Sequence, residues 1–261
     1  MRSGQGKILT EWRAAGSAPA KAKRALVLAR EIVVDIESNA QGPGDRLPHE
    51  EAMLARYDVA RATLREALRF LELQGVIHLA QGRGGGPVIT RPQTADFASS
   101  MALVLQFMDT DLRALLELRE AIAPTVAARA AELATVADLA ALEDCLARLE
   151  RERDASEFEE TNRRFHDLLG WASGNPTFGL LVSALHLLTR NMSVDLGYSA
   201  QERDTQLRCL RRVLHAVRMS DPAGARRQMD RLIGGSTRYL MERSPDLLAQ
   251  KVRWGNASRD S

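Results

Sequence analysis

Along residues 21–38, apolar side chains recur at Ala25, Leu26, Ala29, Ile32, Val33 and Ile36, the spacing of one buried helix face. The run Gln41-Gly42-Pro43-Gly44-Asp45 breaks the chain sharply. A short helix is predicted over 48–57, with proline tolerated in its first turn. Asp58-Val59-Ala60 is a tight connection to a second helix over 61–74, which Gly75 stops. The period then changes. Residues 76–80 and 88–90 read as strands around a flexible turn, Gln81-Gly82-Arg83-Gly84-Gly85-Gly86-Pro87. The order helix, helix, turn, helix, hairpin occupies residues 21–90, and Arg91-Pro92-Gln93 reads as a linker.

From Asp96 onward the pattern is almost purely helical. Apolar stripes run through Leu112, Leu115, Leu116, Ile122 and Val126, then Leu139, Leu142, Leu146 and Leu149. They continue through Phe158, Phe165, Leu168 and Leu169, and through Phe178, Leu181, Val182, Leu185 and Leu188. The last two hold Leu207, Leu210, Val213, Leu214 and Val217, then Met229, Leu232, Ile233 and Leu240. Breaks at Gly174-Asn175-Pro176, Asp221-Pro222 and Ser244-Pro245 leave short loops, so six or seven antiparallel helices form a bundle. The expected fold is mainly α: a loose arm over 1–20, a winged helix-turn-helix over 21–92, a helical bundle over 93–245 and a tail over 246–261, fraying from Trp254.

Composition narrows the class. The 261 residues are 45% hydrophobic and 27% charged, which suits a globular protein and neither disorder nor collagen. No apolar run reaches the length of a membrane span, and the first residues lack a signal-peptide core, so a cytoplasmic protein is expected. Cys145 and Cys209 form no disulfide framework and no zinc knuckle; they are expected to pack as small hydrophobes. Residues 1–92 carry 14 Lys/Arg against 10 Asp/Glu, and the rest carry 22 against 24. That asymmetry is too mild to announce a nucleic-acid partner by itself, so the claim rests on local pattern.

The local pattern is specific. A second helix of a helix-turn-helix lies in the major groove while the first crosses the backbone. In the helix predicted over 61–74, Leu64, Ala67, Leu68 and Leu71 share the face that must enter the core. Arg61, Ala62, Arg65 and Arg69 lie opposite. Arg61 and Arg65 stand one turn apart, so both guanidinium groups reach the same stretch of duplex, to grip guanine edges or phosphates. Thr63 and the helix start add phosphate contacts, and Arg83 rides a glycine hairpin slim enough to approach the minor groove or backbone.

With those residues in view, residues 21–90 resemble the winged helix-turn-helix of GntR-type transcription regulators. The resemblance lies in Pro43-Gly44-Asp45-Arg46-Leu47-Pro48, Glu50, Val59, Arg61, Arg65-Glu66-Ala67-Leu68-Arg69, Leu71-Glu72, Gly75 and Gly82-Arg83-Gly84. Residues 96–241 resemble the all-helical effector domain of the FadR-type branch through Leu118-Arg119, Asn162, Phe165-His166, Gly174-Asn175, Asp221, Ala225 and Met229. The resemblance implies a dimeric, effector-responsive regulator, most often a repressor. It places Arg61, Thr63 and Arg65 on DNA-contacting positions, with Gly82 and Arg83 on the wing. The chain departs at His49, at Glu51 where the family often has arginine, and at Ala60 where a small hydroxyl would cap the helix; the departures imply weaker affinity or a different operator.

The same resemblance bears on metal. Many relatives of this branch hold a divalent metal with one Asp and three His, and the matching positions here are Asn162, His166, Leu210 and Leu232. Leucine coordinates nothing, so no metal and no cofactor is expected. What remains is a candidate effector pocket of Arg119, Asn162, His166 and Arg190, with His186 a weaker candidate, where arginine and histidine grip an anionic group. Two leucines in place of ligands make an acyl chain or other lipophilic acid the expected effector. No nucleophile–base constellation or phosphate-binding loop is visible, so an enzyme is not expected. Two other classes stand beside the regulator: a helical metal-dependent enzyme with an appended docking module, marked by stoichiometric metal and turnover, and a protein-binding scaffold, marked by no salt-dependent DNA affinity.

Overall fold

The computed structural model describes residues 20–82, 85–152, 155–190, 192 and 199–257. The arm expected over 1–20 lies outside them up to residue 19. The chain divides into two compact units, Met1–Asp96 and Phe97–Ser261.

Among the described residues the first unit holds three helices, α1 (Ala20–Ser38), α2 (Glu50–Tyr57) and α3 (Arg61–Leu73), then strands β1 (Ile77–Ala80) and β2 (Gly86–Ile89). The strands are antiparallel, with Ile77 opposite Ile89 and Leu79 opposite Pro87. Burial follows the helical stripe: Leu28, Ile32, Met53, Leu64, Ala67 and Leu71 form the core with Ile77 and Ile89. Their removal from water is the main favourable contribution to this small unit. Polar contacts set the angles between elements. Tyr57 Oη donates to Asp35 Oδ2 at 2.6 Å, tying α2 to α1, and Leu79 N–H donates to Glu72 Oε1 at 3.0 Å, tying β1 to α3. Leu47 N–H donates to Pro87 O and Ile89 N–H to Asp45 O, so the chain before α2 adds a short third edge to the hairpin. At the end of α3, Val76 N–H donates to Leu71 O across a left-handed Gly75, the closure expected of a helix stop.

The second unit is a bundle of α4 (Thr94–Phe107), α5 (Leu112–Leu133), α6 (Val136–Arg151), α7 (Ala155–Ala172), α8 (Pro176–Arg190), α9 (Ala200–Arg218) and α10 (Pro222–Arg243), followed by a single turn, α11 (Pro245–Leu248). The division of units falls inside α4, three residues beyond the linker read at Arg91-Pro92-Gln93. Helix starts are set by side chains that accept from otherwise unpaired N–H groups: Asp111 for α5, Thr135 with Asp138 for α6, Ser199 with Glu202 for α9 and Asp221 for α10. One core joins α5, α6, α7, α9 and α10 through Leu142, Leu149, Phe158, Phe165, Leu210 and Met229. Gly179 on α8 faces the Trp171 indole at the end of α7, and any Cβ there would run into that ring. The missing side chain is what lets α8 lie close on α7.

The C-terminal stretch corrects the expected tail. Val252 is buried, its N–H donates to Thr110 O, and Gln250 O accepts from Leu112 N–H. Lys251 Nζ pairs with Asp109 Oδ2 at 2.9 Å, and Trp254 Nε1 donates to Ser99 Oγ at 2.9 Å. The sequence signal was missed because two apolar residues, Leu248 and Val252, are too few for a period. Trp254–Ala257 forms a 3-10 turn. Residues 258–261 lie outside the described residues.

Candidate nucleic-acid interface and internal cavities

The 13 residues of α3 carry the strongest division into faces among the described helices of the first unit. Leu64, Ala67, Leu68 and Leu71 point inward, while Arg61, Arg65 and Arg69 stand on the exposed face. The side chains of Arg61 and Arg65 are 60% and 66% exposed. A rigid helix backed by packed leucines thus holds two guanidinium groups outward on adjacent turns. Thr63 does not stand with them: only 7% of it is exposed, because the third residue of α3 turns under the helix toward the core. The start of α3 has Ala60 as its cap residue, with no side-chain hydrogen bond. Gly82, at φ +96°, is exposed at the start of the hairpin turn, in a backbone conformation that side chains disfavour. Arg83 lies outside the described residues.

One group escaped the sequence reading of this surface. Glu50, the first residue of α2, places Oε1 3.4 Å from Arg61 Nε and 3.3 Å from Arg65 Nε. The Pro48-His49-Glu50 motif at the helix start was its only signal. Exposed ion pairs of this kind contribute about 0–1 kcal/mol, so either arginine exchanges the carboxylate for a phosphate or guanine at little cost. Glu50 therefore aims the arginines and places a negative charge near where phosphates would lie. The Glu50→Gln variant is expected to bind an unrelated duplex several-fold more tightly at low salt and to discriminate less between sequences. Parallel titrations of specific and random duplexes check this; unchanged discrimination removes Glu50 from the surface.

Inside the bundle, Arg119 on α5, Asn162 and His166 on α7 and His186 on α8 gather around two small cavities. The first, about 20 Å³, is walled mainly by apolar side chains such as Ile122, Val126 and Leu169, with Arg119, His166 and His186. The second, about 60 Å³, also borders Arg119 and His186 and adds Glu159, Asn162, Arg163 and Gln206. The two imidazole rings lie 5.9 Å apart, centroid to centroid. Burial, then the nearby Arg119 charge, holds His166 well below the ordinary histidine range. Burial also lowers His186, against the opposing pull of Asp167. Asp167 Oδ1 lies 2.7 Å from His186 Nδ1 and accepts the Ser183 hydroxyl at 2.9 Å. Asn162 Oδ1 is buried without a hydrogen-bond partner.

Two expectations are corrected here. Arg190 is not part of this cluster; it is about half exposed and pairs with Glu160 at 3.7 Å, because the last turn of α8 carries it to the surface. His186, one turn earlier and facing inward, takes its place. The volumes also run against a lipophilic effector. A water-sized group needs about 10–15 Å³, so each cavity as it stands is smaller than an acyl chain, and the larger one is lined with polar groups. The leucines that prompted the expectation, Leu210 and Leu232, are buried in the core of the bundle and do not line either cavity. Among the described residues no group of three or more His, Cys, Asp or Glu is placed to hold a metal ion. Cys145 is buried, which pushes its thiol up to about 11.

Comparison with known proteins agrees with this division. Residues 25–85 match the family described as bacterial regulatory proteins, gntR family, and residues 114–235 match the FCD domain. The chain thus carries a gntR-type regulatory domain followed by an FCD domain. The FCD match is consistent with the FadR-type branch. The chain is 30% identical to the transcriptional regulator LutR of Bacillus subtilis over 141 residues, 54% of this chain and 64% of that protein. It is 29% identical to the galactonate operon transcriptional repressor of Escherichia coli over 206 residues, 77% of this chain and 89% of that one. A solved GntR structure from Streptococcus agalactiae superposes with a TM-score of 0.59 at 23% identity, over 82% of this chain and 99% of the other, which supports the fold. These relatives are transcription regulators, and they do not favour an enzyme or a scaffold. Among the described residues no helix is long and apolar enough to cross a membrane.

Proposed function

We propose that this protein is a cytoplasmic, non-enzymatic transcription repressor that binds double-stranded DNA through α3 and the wing and is controlled by a small anionic effector in the helical unit. The observation that carries it is the outward pair Arg61 and Arg65 on a helix whose other face is packed core. The pair, with Arg69 beside it and Gly82 at the wing, suits base edges and phosphates at once. The bundle is the expected seat of a homodimer, which would present two copies of α3 to a pseudo-palindromic operator with half-sites about 10 bp apart, one helical turn. Effector binding would alter the spacing of the two copies and hence the affinity, a coupling between separate sites.

Selection of bound fragments from genomic DNA, followed by mobility-shift titration, tests the reading. The expected result is an inverted-repeat sequence bound with Kd of about 10⁻⁸ M or tighter, weakening steeply as salt rises. Binding that ignores sequence and salt rejects it.

A further inference from the structure

Beside α3 lies a groove of about 740 Å³, bounded by the start of α2, one side of α3 and the hairpin. It is separate from the two cavities of the bundle. Ligand sites in proteins commonly occupy about 300–1,000 Å³, so the space suits a small organic molecule. Its floor is apolar, made by Met53 of α2, Leu68 of α3, and Leu79 and Pro87 of the two strands. Met53 and Leu68 are buried at its base, and Leu79 is partly buried in the hairpin wall.

The rim is charged. Arg65 and Arg69 stand one turn apart on the α3 side, and Glu50 and Glu72 also border the groove. Both carboxylates are engaged. Glu50 Oε1 meets Arg61 and Arg65 at 3.4 and 3.3 Å, and Glu72 Oε1 accepts the Leu79 N–H at 3.0 Å. Arg69 is exposed and has no ion pair among the described residues. An anion entering the groove therefore meets a cation that no carboxylate neutralises, at the edge of an apolar floor.

The combination sets the class of ligand. The floor asks for an apolar body and Arg69 for one negative charge. The rim arginines stand in water, so a ligand here is only partly enclosed and must lose little freedom when held. Fused aromatic rings meet that condition; an acyl chain with many rotatable bonds does not. Guanidinium planes stack on aromatic faces, and the Met53 thioether gives a ring a further favourable contact.

We propose that this groove is a second ligand site, for a flat aromatic monoanion of at least two fused rings, with the rings against Met53, Leu68 and Leu79 and the acid group on Arg69. Arg65 and Arg69 cannot serve this ligand and DNA together, so occupancy competes with DNA directly and needs no change in the bundle. The binding stands on the groove alone; the competition rests on the DNA surface proposed above.

The test uses the full chain and calorimetric titration of 2-naphthoate, its neutral amide 2-naphthamide, benzoate and decanoate. 2-Naphthoate is expected to bind about ten-fold or more tighter than each of the others, since the amide lacks the charge, benzoate the second ring and decanoate the rigidity. Arg69→Gln, on an exposed helix surface, is expected to bring 2-naphthoate and 2-naphthamide within about two-fold of each other. Leu79→Trp fills the groove and should abolish binding of both; its heat-unfolding midpoint checks the fold, and Arg69→Gln decides alone if Leu79→Trp unfolds. Equal or tighter binding of the amide or of decanoate overturns the proposal, as does 2-naphthoate binding that Arg69→Gln leaves unchanged. In mobility shifts, 2-naphthoate at ten times its own Kd is expected to weaken DNA binding about ten-fold, by mass action. Bound 2-naphthoate that leaves DNA affinity unchanged overturns the competition. Specific DNA binding with no 2-naphthoate binding sinks the groove alone; 2-naphthoate binding as expected with no specific DNA binding sinks the DNA reading alone.

Discussion

Replacing Arg61 and Arg65 together by alanine is expected to abolish sequence-specific DNA binding while leaving the fold intact. Each guanidinium contact to a base edge is worth about 1–3 kcal/mol, so the pair accounts for about 2–6 kcal/mol, a loss of roughly 30-fold to 10⁴-fold in affinity. The two losses will not simply add, since both side chains contact the same Glu50 carboxylate oxygen. In either single variant Glu50 remains beside one arginine; in the double variant it loses both of these partners and its charge repels the duplex. Both arginines are more than half exposed, and alanine is the better helix former, so the circular dichroism spectrum should not change. Mobility shifts at several salt concentrations check the result. If the contacts are to phosphate, the salt slope falls by about one per arginine; full retention of specific affinity in the double variant would reject this surface.

The second large effect belongs to the bundle. Phe165→Ala is expected to destabilise the helical unit by about 3–5 kcal/mol, the usual cost of deleting a fully buried aromatic side chain. Phe165 is wholly buried on α7 in the core shared with α5, α6, α9 and α10. Neighbouring side chains on five helices relax only partly into such a void, so both lost contacts and cavity contribute. For a unit of this size the heat-unfolding midpoint should fall by about 10 °C, at roughly 2–4 °C per kcal/mol. The loss should also reach the cavity, because the Phe165 ring meets the His166 imidazole edge to face, 6.1 Å between centroids. Scanning calorimetry checks both points. A midpoint lowered by under 2 °C would show that this ring carries little of the core.

The legible parts of this protein are those governed by near neighbours in sequence. Periodicity marked α1, α2, α3 and the hairpin to within two residues, because a helix or strand facing a core must repeat its apolar side chains at its own period. Gly75 announced the end of α3 for the same local reason. The outward direction of Arg61 and Arg65 follows from the inward direction of Leu64 and Leu68, since both are set by one helical turn.

Other assignments depended on distant residues. Thr63 sits two places from Arg61 and looked equally available, but it lies on the core-facing side of α3 and is only 7% exposed. Arg190 and His186 are one turn apart on α8, and only the way α8 lies against α7 brings the histidine inside and leaves the arginine out. The carboxylate of Glu50 is 15 residues from Arg65 along the chain, and α2 must first cross α3 for the two to meet. Leu248 and Val252 gave no period at all, yet hydrogen bonds to the loop before α5 fix the stretch around Gln250 and Val252.

From its sequence alone, this protein was determined to be a winged helix-turn-helix followed by a helical bundle, with an arginine pair on one face of α3. Only the tertiary structure decided which polar side chains converge, and so what the bundle can hold. The division has a physical cause. Periodicity and turn chemistry act over a few residues, whereas a cavity is the space several helices fail to fill, and its size and lining depend on how all of them pack together.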